Sequence, residues 1–348
     1  MVQLTRERIQ ALTGLINGSK RVTVVTHTRP DGDAVGSSVA LATYLRQMHG
    51  KDVRTVIANP YSDNLEFILD DCDRENMIRY SSDPEAAEEW ICGSDLVFCL
   101  DCNAFGRTDE LEPFLYAAEA ERVLIDHHLS PKEEDFSLVF SETAISSACE
   151  VLYRVLLQMP DVDGDAAKLP HHSLRALMAG MTTDTNNFGN SVYPSTLEMA
   201  SDLLAAGVDR DEILGHLYNS FRENRLRLMG YLMYEKMKVL GNGTAYIIID
   251  KETQDRFDLN EGETEGFVNM PLSISEVKMS IMLKEDDGYF RVSVRSKKGT
   301  SANMLARTYF NGGGHEQASG GRLYIPADIS DAAQAAQYIE KVTEEFFR

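Results

Sequence analysis

Cysteine is scarce in this chain: five residues in 348, an odd number spread widely. That excludes a disulfide framework and fits a reducing compartment. Basic side chains are also short, with 34 Lys and Arg against 55 Asp and Glu and a formal net charge of -21 at pH 7. Nonspecific grip on long duplex nucleic acid is excluded on that balance, because such affinity comes from Lys and Arg displacing counterions. No stretch of about 18 apolar residues occurs, and the opening segment MVQLTRERIQALTGLINGSK is polar and helix-patterned rather than a signal peptide. A cytoplasmic protein without a membrane partner is expected. Internal repeats and low-complexity tracts are lacking as well.

What remains is an ordinary globular composition, 43% hydrophobic and 26% charged, in a chain long enough for about two domains. Short apolar, β-branched runs at 22–26, 53–58, 96–100 and 123–125 alternate with helical patterns at 37–48, 146–157 and 173–181. That alternation predicts an α/β domain with a parallel sheet and right-handed crossovers. From about Thr196 the pattern turns almost wholly helical. Strand signals then return at 244–250, 276–285 and 289–296, the latter two joined through Asp286-Asp287-Gly288 as a hairpin. A helix from Ser301, a glycine cluster and a closing helix from Asp331 complete a smaller α+β domain. The expected division is 1–195, a helical linker 196–240, and 241–348.

Chemistry is concentrated where strands end. Residues 22–41, VTVVTHTRPDGDAVGSSVAL, run from a strand into a loop holding His27, Asp31 and Asp33, and Gly36-Ser37-Ser38 then opens a helix. Ligands of α/β proteins sit at such carboxyl ends, and the helix start at Ser37 offers backbone N–H groups to an anion. Two carboxylates two residues apart in an extended loop can diverge toward two neighbouring metal ions. Asp101 ends a second strand, Asp126-His127-His128 a third, and Asp184 a stretch that is either helical or strand-like. Any one of these is ordinary, but four such ends on one sheet edge are not. His27, Asp31, Asp33, Asp101, His127 and Asp184 offer four carboxylates and two imidazoles, enough to balance two divalent cations with one carboxylate bridging. Without thiolates, that donor set suits Mn2+ better than Mg2+ or Ca2+, with Mg2+ or Co2+ as possible substitutes.

Other features read as structural. Cys99 and Cys102 form a CxxC without a second pair, so a buried thiol and a bystander are expected. His171 and His172 fit capping or surface positions, the Met and aromatic residues of LRLMGYLMYEKM fit core spacing, and 261–265 reads as a solvated acidic loop.

Asp126-His127-His128, together with HTRPDGDAVGS, LDCN and TDT, resembles the DHH phosphoesterase superfamily, which includes RecJ-like exonucleases, family II pyrophosphatases and small-oligonucleotide hydrolases. Gly312-Gly313-Gly314-His315 in RTYFNGGGHEQASGG resembles the glycine-rich motif of the DHH-associated domain. The combination looks most like the group of bifunctional oligoribonucleases and adenosine 3′,5′-bisphosphate phosphatases, the nanoRNases. The resemblance implies that His27 and Asp31 hold one metal, that Asp33, His127 and Asp184 hold the other, and that Asp101 bridges them. It implies a phosphate contact for His128, an orienting role for Asp126, and recognition of the rest of the nucleotide by Arg295, Ser296, Gly313, Gly314 and His315. Glycines there would let backbone N–H groups approach a phosphate.

The implied reaction is two-metal hydrolysis of short single-stranded RNA or small nucleotides in a cleft between the domains. Cyclic dinucleotide or pApA cleavage, RecJ-like exonuclease action and pyrophosphate or polyphosphate hydrolysis are the alternatives, and an inactive nucleotide sensor is the alternative of another class. Oligomeric state is open, a homodimer included. One departure stands out: the usual TDTG reads Thr183-Asp184-Thr185-Asn186. Asn tolerates a left-handed backbone, so the turn is expected to survive.

Overall fold

The computed structural model describes residues 4–260 and 262–348, and the chain divides after Ser220 into two compact units. Met1 to Gln3 and Glu261, the first residue of the expected acidic loop, lie outside the described residues.

Six strands form one sheet in the first unit: β1 (Arg21–Val25), β2 (Asp52–Ile57), β3 (Met77–Arg79), β4 (Leu96–Leu100), β5 (Glu121–Asp126) and β6 (Leu138–Ser141). Their order is β3-β2-β1-β4-β5-β6, and every pairing is parallel. The chain builds outward from β1 to β3 and then crosses to the other side, so the order reverses between β1 and β4. Loops diverge at such a point and leave a crevice at the strand ends. The helices are α1 (Arg6–Gly18), α2 (Gly32–His49), α3 (Asp71–Glu75), α4 (Pro84–Cys92), α5 (Glu112–Ala117), α6 (Ala148–Leu157), α7 (His171–Asp184), α8 (Pro194–Ala205) and α9 (Arg210–Tyr218).

Alternation along the strands divides the core into two layers. Phe98, Leu100 and Ile125 pack with α1, α2, α6 and α7, whereas Val97, Cys99 and Leu124 pack with Trp90 of α4 and Leu115 of α5. Cys99 and Cys102 are both buried free thiols. His172 is not a simple cap: from the first turn of α7 its Nε2 reaches Oδ2 of Asp73 at 2.6 Å, and Arg46 of α2 pairs with the same carboxylate. That shared carboxylate ties α2, α3 and α7 together.

The expected separate linker is not seen. Met199 and Leu203 of α8 and Ile213 and Leu217 of α9 are buried in the first unit's core. α10 (Glu223–Tyr231) and the π-helical turn Leu232–Lys236 instead bury Leu228 and Leu232 in the second unit, whereas the Met and aromatic positions expected in the core are only partly buried at Met229, Tyr231 and Met233, and Tyr234 is exposed.

That second unit is α+β. Its strands are β7 (Lys238–Val239), β8 (Thr244–Ile249), β9 (Met279–Asp286), β10 (Tyr289–Ser296), β11 (Gly313–Gly314) and β12 (Ala318–Tyr324), in the order β11-β12-β10-β9-β8-β7. Only β8 and β9 run parallel among the described pairings. α11 (Lys251–Arg256), α12 (Ala302–Tyr309) and α13 (Ala335–Phe346) complete it. Within the expected acidic loop, Glu263 is bound rather than solvated, accepting from Nε and Nη2 of Arg222 at 2.7 and 2.8 Å. No described helix is long and apolar enough to cross a membrane.

Candidate active site

α2 begins at Gly32, five residues before the expected start. Asp31 is its N-cap, and Oδ1 accepts the N–H groups of Asp33 and Ala34, each at 3.1 Å. Donors expected to face an anion are therefore already used. Asp33 lies inside the first helical turn, and its carboxylate accepts the N–H groups of Ala148 at 2.6 Å and Cys149 at 2.9 Å. Those two amides are the start of α6, capped by Ser147, so a helix N-terminus fixes this carboxylate. Ser37, expected beside the substrate, is fully buried and its hydroxyl donates to the Asp33 carbonyl at 2.7 Å. An earlier helix start turns its hydroxyl back onto its own helix.

The strand ends converge as their sequence positions predict. Nε2 of His27 lies 3.3 Å from Oδ2 of Asp101 and 3.8 Å from Oδ1 of Asp31. Its Nδ1 donates to the Thr28 carbonyl at 2.9 Å, which leaves Nε2 as the donor atom facing the carboxylates. Nε2 of His127 lies 3.3 Å from Oδ1 of Asp101, 3.7 Å from Asp33 and 3.6 Å from Asp184. Two triads result, His27-Asp31-Asp101 and Asp33-Asp101-His127, each with ligand atoms clustered closely enough for one ion. Asp101 belongs to both. Asp184 comes from the C-terminus of α7, a helix end rather than a strand end.

His128 is held from behind. Asp126, fully buried, accepts Nδ1–H of His128 at 2.8 Å and the His128 backbone N–H at 3.0 Å, holding the ring by one bond and the backbone by the other.

The electrostatics describe a site short of positive charge. Burial raises the Asp33 carboxyl, and Asp101 and Asp184 push it well above the usual carboxylate range. Burial opposes charge on His127, but Asp101, Asp184 and Asp33 outweigh it and push the imidazole up to about 10. His27 is raised in the same sense against its burial, by Asp101 and Asp31. Burial also opposes charge on Asp101, but His127 and His27 hold it well below the usual range. Protons thus sit where cations would. Oδ1 of Asp101 is buried with no well-formed hydrogen bond, the Nε2 of His127 standing 3.3 Å away, a costly state that a bound cation would relieve. Oxygen and imidazole donors around an unsatisfied bridging carboxylate fit a pair of divalent ions.

The TDTN turn survives as expected. Asn186 has φ 47°, and Asn187 and Phe188 continue in the same left-handed region at 57° and 63°. Asp101 itself has φ 53°, a conformation that few non-glycine residues adopt.

In the second unit, Arg295 is the penultimate residue of β10 and donates from Nη1 to the Val294 and Ser319 carbonyls at 3.0 and 3.4 Å. Ser296, expected to touch the nucleotide, is 7% exposed and donates its hydroxyl to the Thr300 carbonyl at 2.6 Å. That bond braces the turn after β10. Gly313 and Gly314 form β11, paired with Gly320 and Ser319, and His315 closes the turn by donating its N–H to the Ala318 carbonyl at 2.8 Å.

Comparison with known proteins agrees with this geometry. The DHH family, N-terminal domain, matches residues 21–181, and the DHHA1 domain matches residues 242–341. The bifunctional oligoribonuclease and PAP phosphatase NrnA of Bacillus subtilis is 29% identical, over 86% of this chain and 88% of its own. A probable protein of the same name from Streptococcus mutans is 30% identical, over 90% of this chain and 93% of its own. The crystal structure of an exopolyphosphatase-related protein from Bacteroides fragilis superposes with a TM-score of 0.89 at 33% identity, covering all of this chain and 98% of that one. The chain belongs to the DHH family of phosphoesterases and carries a DHHA1 domain.

Proposed function

We propose that this protein hydrolyses short oligoribonucleotides to mononucleotides and removes a phosphate from adenosine 3′,5′-bisphosphate, with two Mn2+ ions as cofactors. The observation that carries the reading is the pair of donor triads sharing Asp101, within reach of a histidine locked by Asp126. His27, Asp31 and Asp101 would hold one ion, and Asp33, His127, Asp184 and Asp101 the other. When bound, divalent ions supply Lewis-acid polarisation of phosphoryl oxygens and a lowered pKa for water. The chain's own part is positional. Ala148 and Cys149 amides fix Asp33, the Thr28 carbonyl sets the His27 tautomer, and Asp126 presents His128 to a phosphoryl oxygen as charge develops. The activity named for the Bacillus and Streptococcus relatives supports short RNA and bisphosphate as substrates.

The test is Mn2+-dependent hydrolysis across RNAs of two to five nucleotides, pApA, c-di-AMP, adenosine 3′,5′-bisphosphate and pyrophosphate. Preference for the short RNAs together with bisphosphate cleavage is expected. A dominant rate on c-di-AMP would make this a second-messenger phosphodiesterase, and tight nucleotide binding without turnover would make it a sensor.

A further inference from the structure

Glu150 is a fully buried carboxylate with no part in the metal site as described. It lies in the first turn of α6, three residues after the cap Ser147, on a helix whose Val151, Leu152 and Val155 pack in the apolar core. Three donors converge on its Oε2: the Ser146 N–H at 3.1 Å, the Ser146 hydroxyl at 2.5 Å and the Thr196 hydroxyl at 2.7 Å. Thr196 belongs to α8, and its Oγ1 accepts the Tyr193 N–H at 3.2 Å, so its own proton is the one given to Glu150. Oε1 has no well-formed hydrogen bond, Nε of Arg154 standing 3.5 Å away. A carboxylate buried in this way is costly, and the apolar packing of α6 does not call for one.

Its place along the chain supplies the reason. In an ordinary capping box the glutamate reaches back to the N–H of the cap residue. Here it reaches one residue further, to Ser146, while the Ser147 hydroxyl accepts the Glu150 N–H at 3.0 Å and the Ser147 carbonyl accepts that of Val151 at 3.2 Å. The chain entering α6 is thus fixed at both 146 and 147. The next two amides, Ala148 and Cys149, are the pair that Asp33 accepts at 2.6 and 2.9 Å. Through Thr196 the same carboxylate ties this helix start to α8. A second tie between the two helices lies about one turn along α6, where the Tyr153 hydroxyl donates to Oδ2 of Asp202 at 2.8 Å.

We propose that Glu150 is a positioning residue for Asp33: by clamping Ser146 and α8 to the start of α6, it aims the Ala148 and Cys149 amides so that the Asp33 carboxylate faces its cation in one orientation. This deepens the phosphoesterase reading and rests on it for the cation, whereas the aim of the two amides is a property of the metal-free chain.

In the metal-free full-length protein, Glu150→Ala should speed hydrogen exchange at the Ala148 and Cys149 amides, followed by NMR, by about tenfold or more. Mn2+ titrations read by electron paramagnetic resonance should then show one of two ions bound about tenfold to a hundredfold more weakly, with the other unchanged. Thr196→Val removes one of the three donors and should do both to a smaller extent. Glu150→Gln, whose amide oxygen can accept the same three donors, should restore most of both. Tyr153→Phe is the control, since it cuts the other tie between α6 and α8 and should lower the melting temperature without changing either readout. Wild-type exchange at both amides in Glu150→Ala and Thr196→Val would overturn the assignment. So would a Tyr153→Phe protein that loses as much Mn2+ affinity as Glu150→Ala, since that marks a general loosening of α6. If Glu150→Ala does not fold, Thr196→Val and Glu150→Gln carry the test. A wild type that binds no Mn2+ would refute the parent reading alone, and exchange at the two amides would still decide whether Glu150 holds them on Asp33.

Discussion

Replacing Asp101 with alanine is expected to lower kcat by about a thousandfold or more, on the order of 4 kcal/mol of transition-state stabilisation. Both donor triads lose the same residue, so neither ion retains three protein ligands from its triad. Removing Asp31 alone should cost less, because it stands at the margin of one triad, 3.8 Å from His27, and also serves as a helix cap. The folded state should survive the Asp101 change. Alanine at φ 53° carries a backbone cost of about 1–2 kcal/mol, so Asp101→Asn, which suits the left-handed region, is the companion variant. Trp90 is the only tryptophan and sits between the guanidinium groups of Arg21 and Arg54 at 3.9 and 4.2 Å, giving a single fluorescent reporter of unfolding. Normal urea unfolding with absent turnover, and Mn2+ stoichiometry reduced from two by electron paramagnetic resonance, is the expected combination. Full activity in either variant would remove the shared-ligand arrangement from consideration.

Much of this centre was legible because β-strand ends are marked twice, by a buried apolar run and by the polar residue that stops it. Phe98 to Leu100 followed by Asp101, and Val123 to Ile125 followed by Asp126-His127-His128, carry both marks. Residues whose function depends on a distant backbone carry neither. Nothing in the local sequence says that the amides of Ala148 and Cys149 hold Asp33 from 115 positions away. Strands β3 and β6, three and four residues long, are too short to display a period. The glycines misled in both units, for one reason. Gly32 read as loop, yet it belongs to α2, where Thr183 of the neighbouring helix α7 lies against it. Gly320 and Gly321 gave no strand signal, yet they lie in β12 beneath Gly312 and Phe310. Close approach of another segment uses the same residue as a flexible turn, and sequence cannot tell which. Ser37 and Ser296 both spend their hydroxyl protons on nearby carbonyls, which no local sequence signal showed. A hydroxyl near a site is attractive until its donor is found to be spent within its own element or turn.

Helix approach also decides the second large effect, which arises without touching a ligand. α2 carries Asp31 and Asp33 at its start, and α7 carries Asp184 at its end, so the distance between them is set by how closely the two helices pack. A Cβ on Gly36 would lie 2.6 Å from the Ala176 carbonyl oxygen and 3.0 Å from Cα of Gly180. Both are helix backbone, which cannot yield as a side-chain tip can. One on Gly180 would lie 2.3 Å from Sγ of Cys149, the residue whose amide holds Asp33. Gly36→Ala must therefore push α2 off α7. Overpacking costs about 1–3 kcal/mol, against the roughly 1 kcal/mol that alanine gains over glycine within a helix. Net stability should fall modestly, while Mn2+ affinity at the Asp33-His127-Asp184 side and kcat should each fall by about tenfold or more, since displacements of about 1 Å are costly in catalysis. Gly14→Ala in α1 is the control, because a Cβ there meets nothing within 4 Å. It should gain the same helix propensity and leave metal binding and turnover at wild-type levels. If Gly36→Ala behaves like Gly14→Ala in all three measurements, the glycine contact between α2 and α7 does not set the metal geometry. If stability falls in Gly36→Ala with metal affinity intact, helix packing and ligand placement are uncoupled, and the Ala148 and Cys149 amides alone position Asp33.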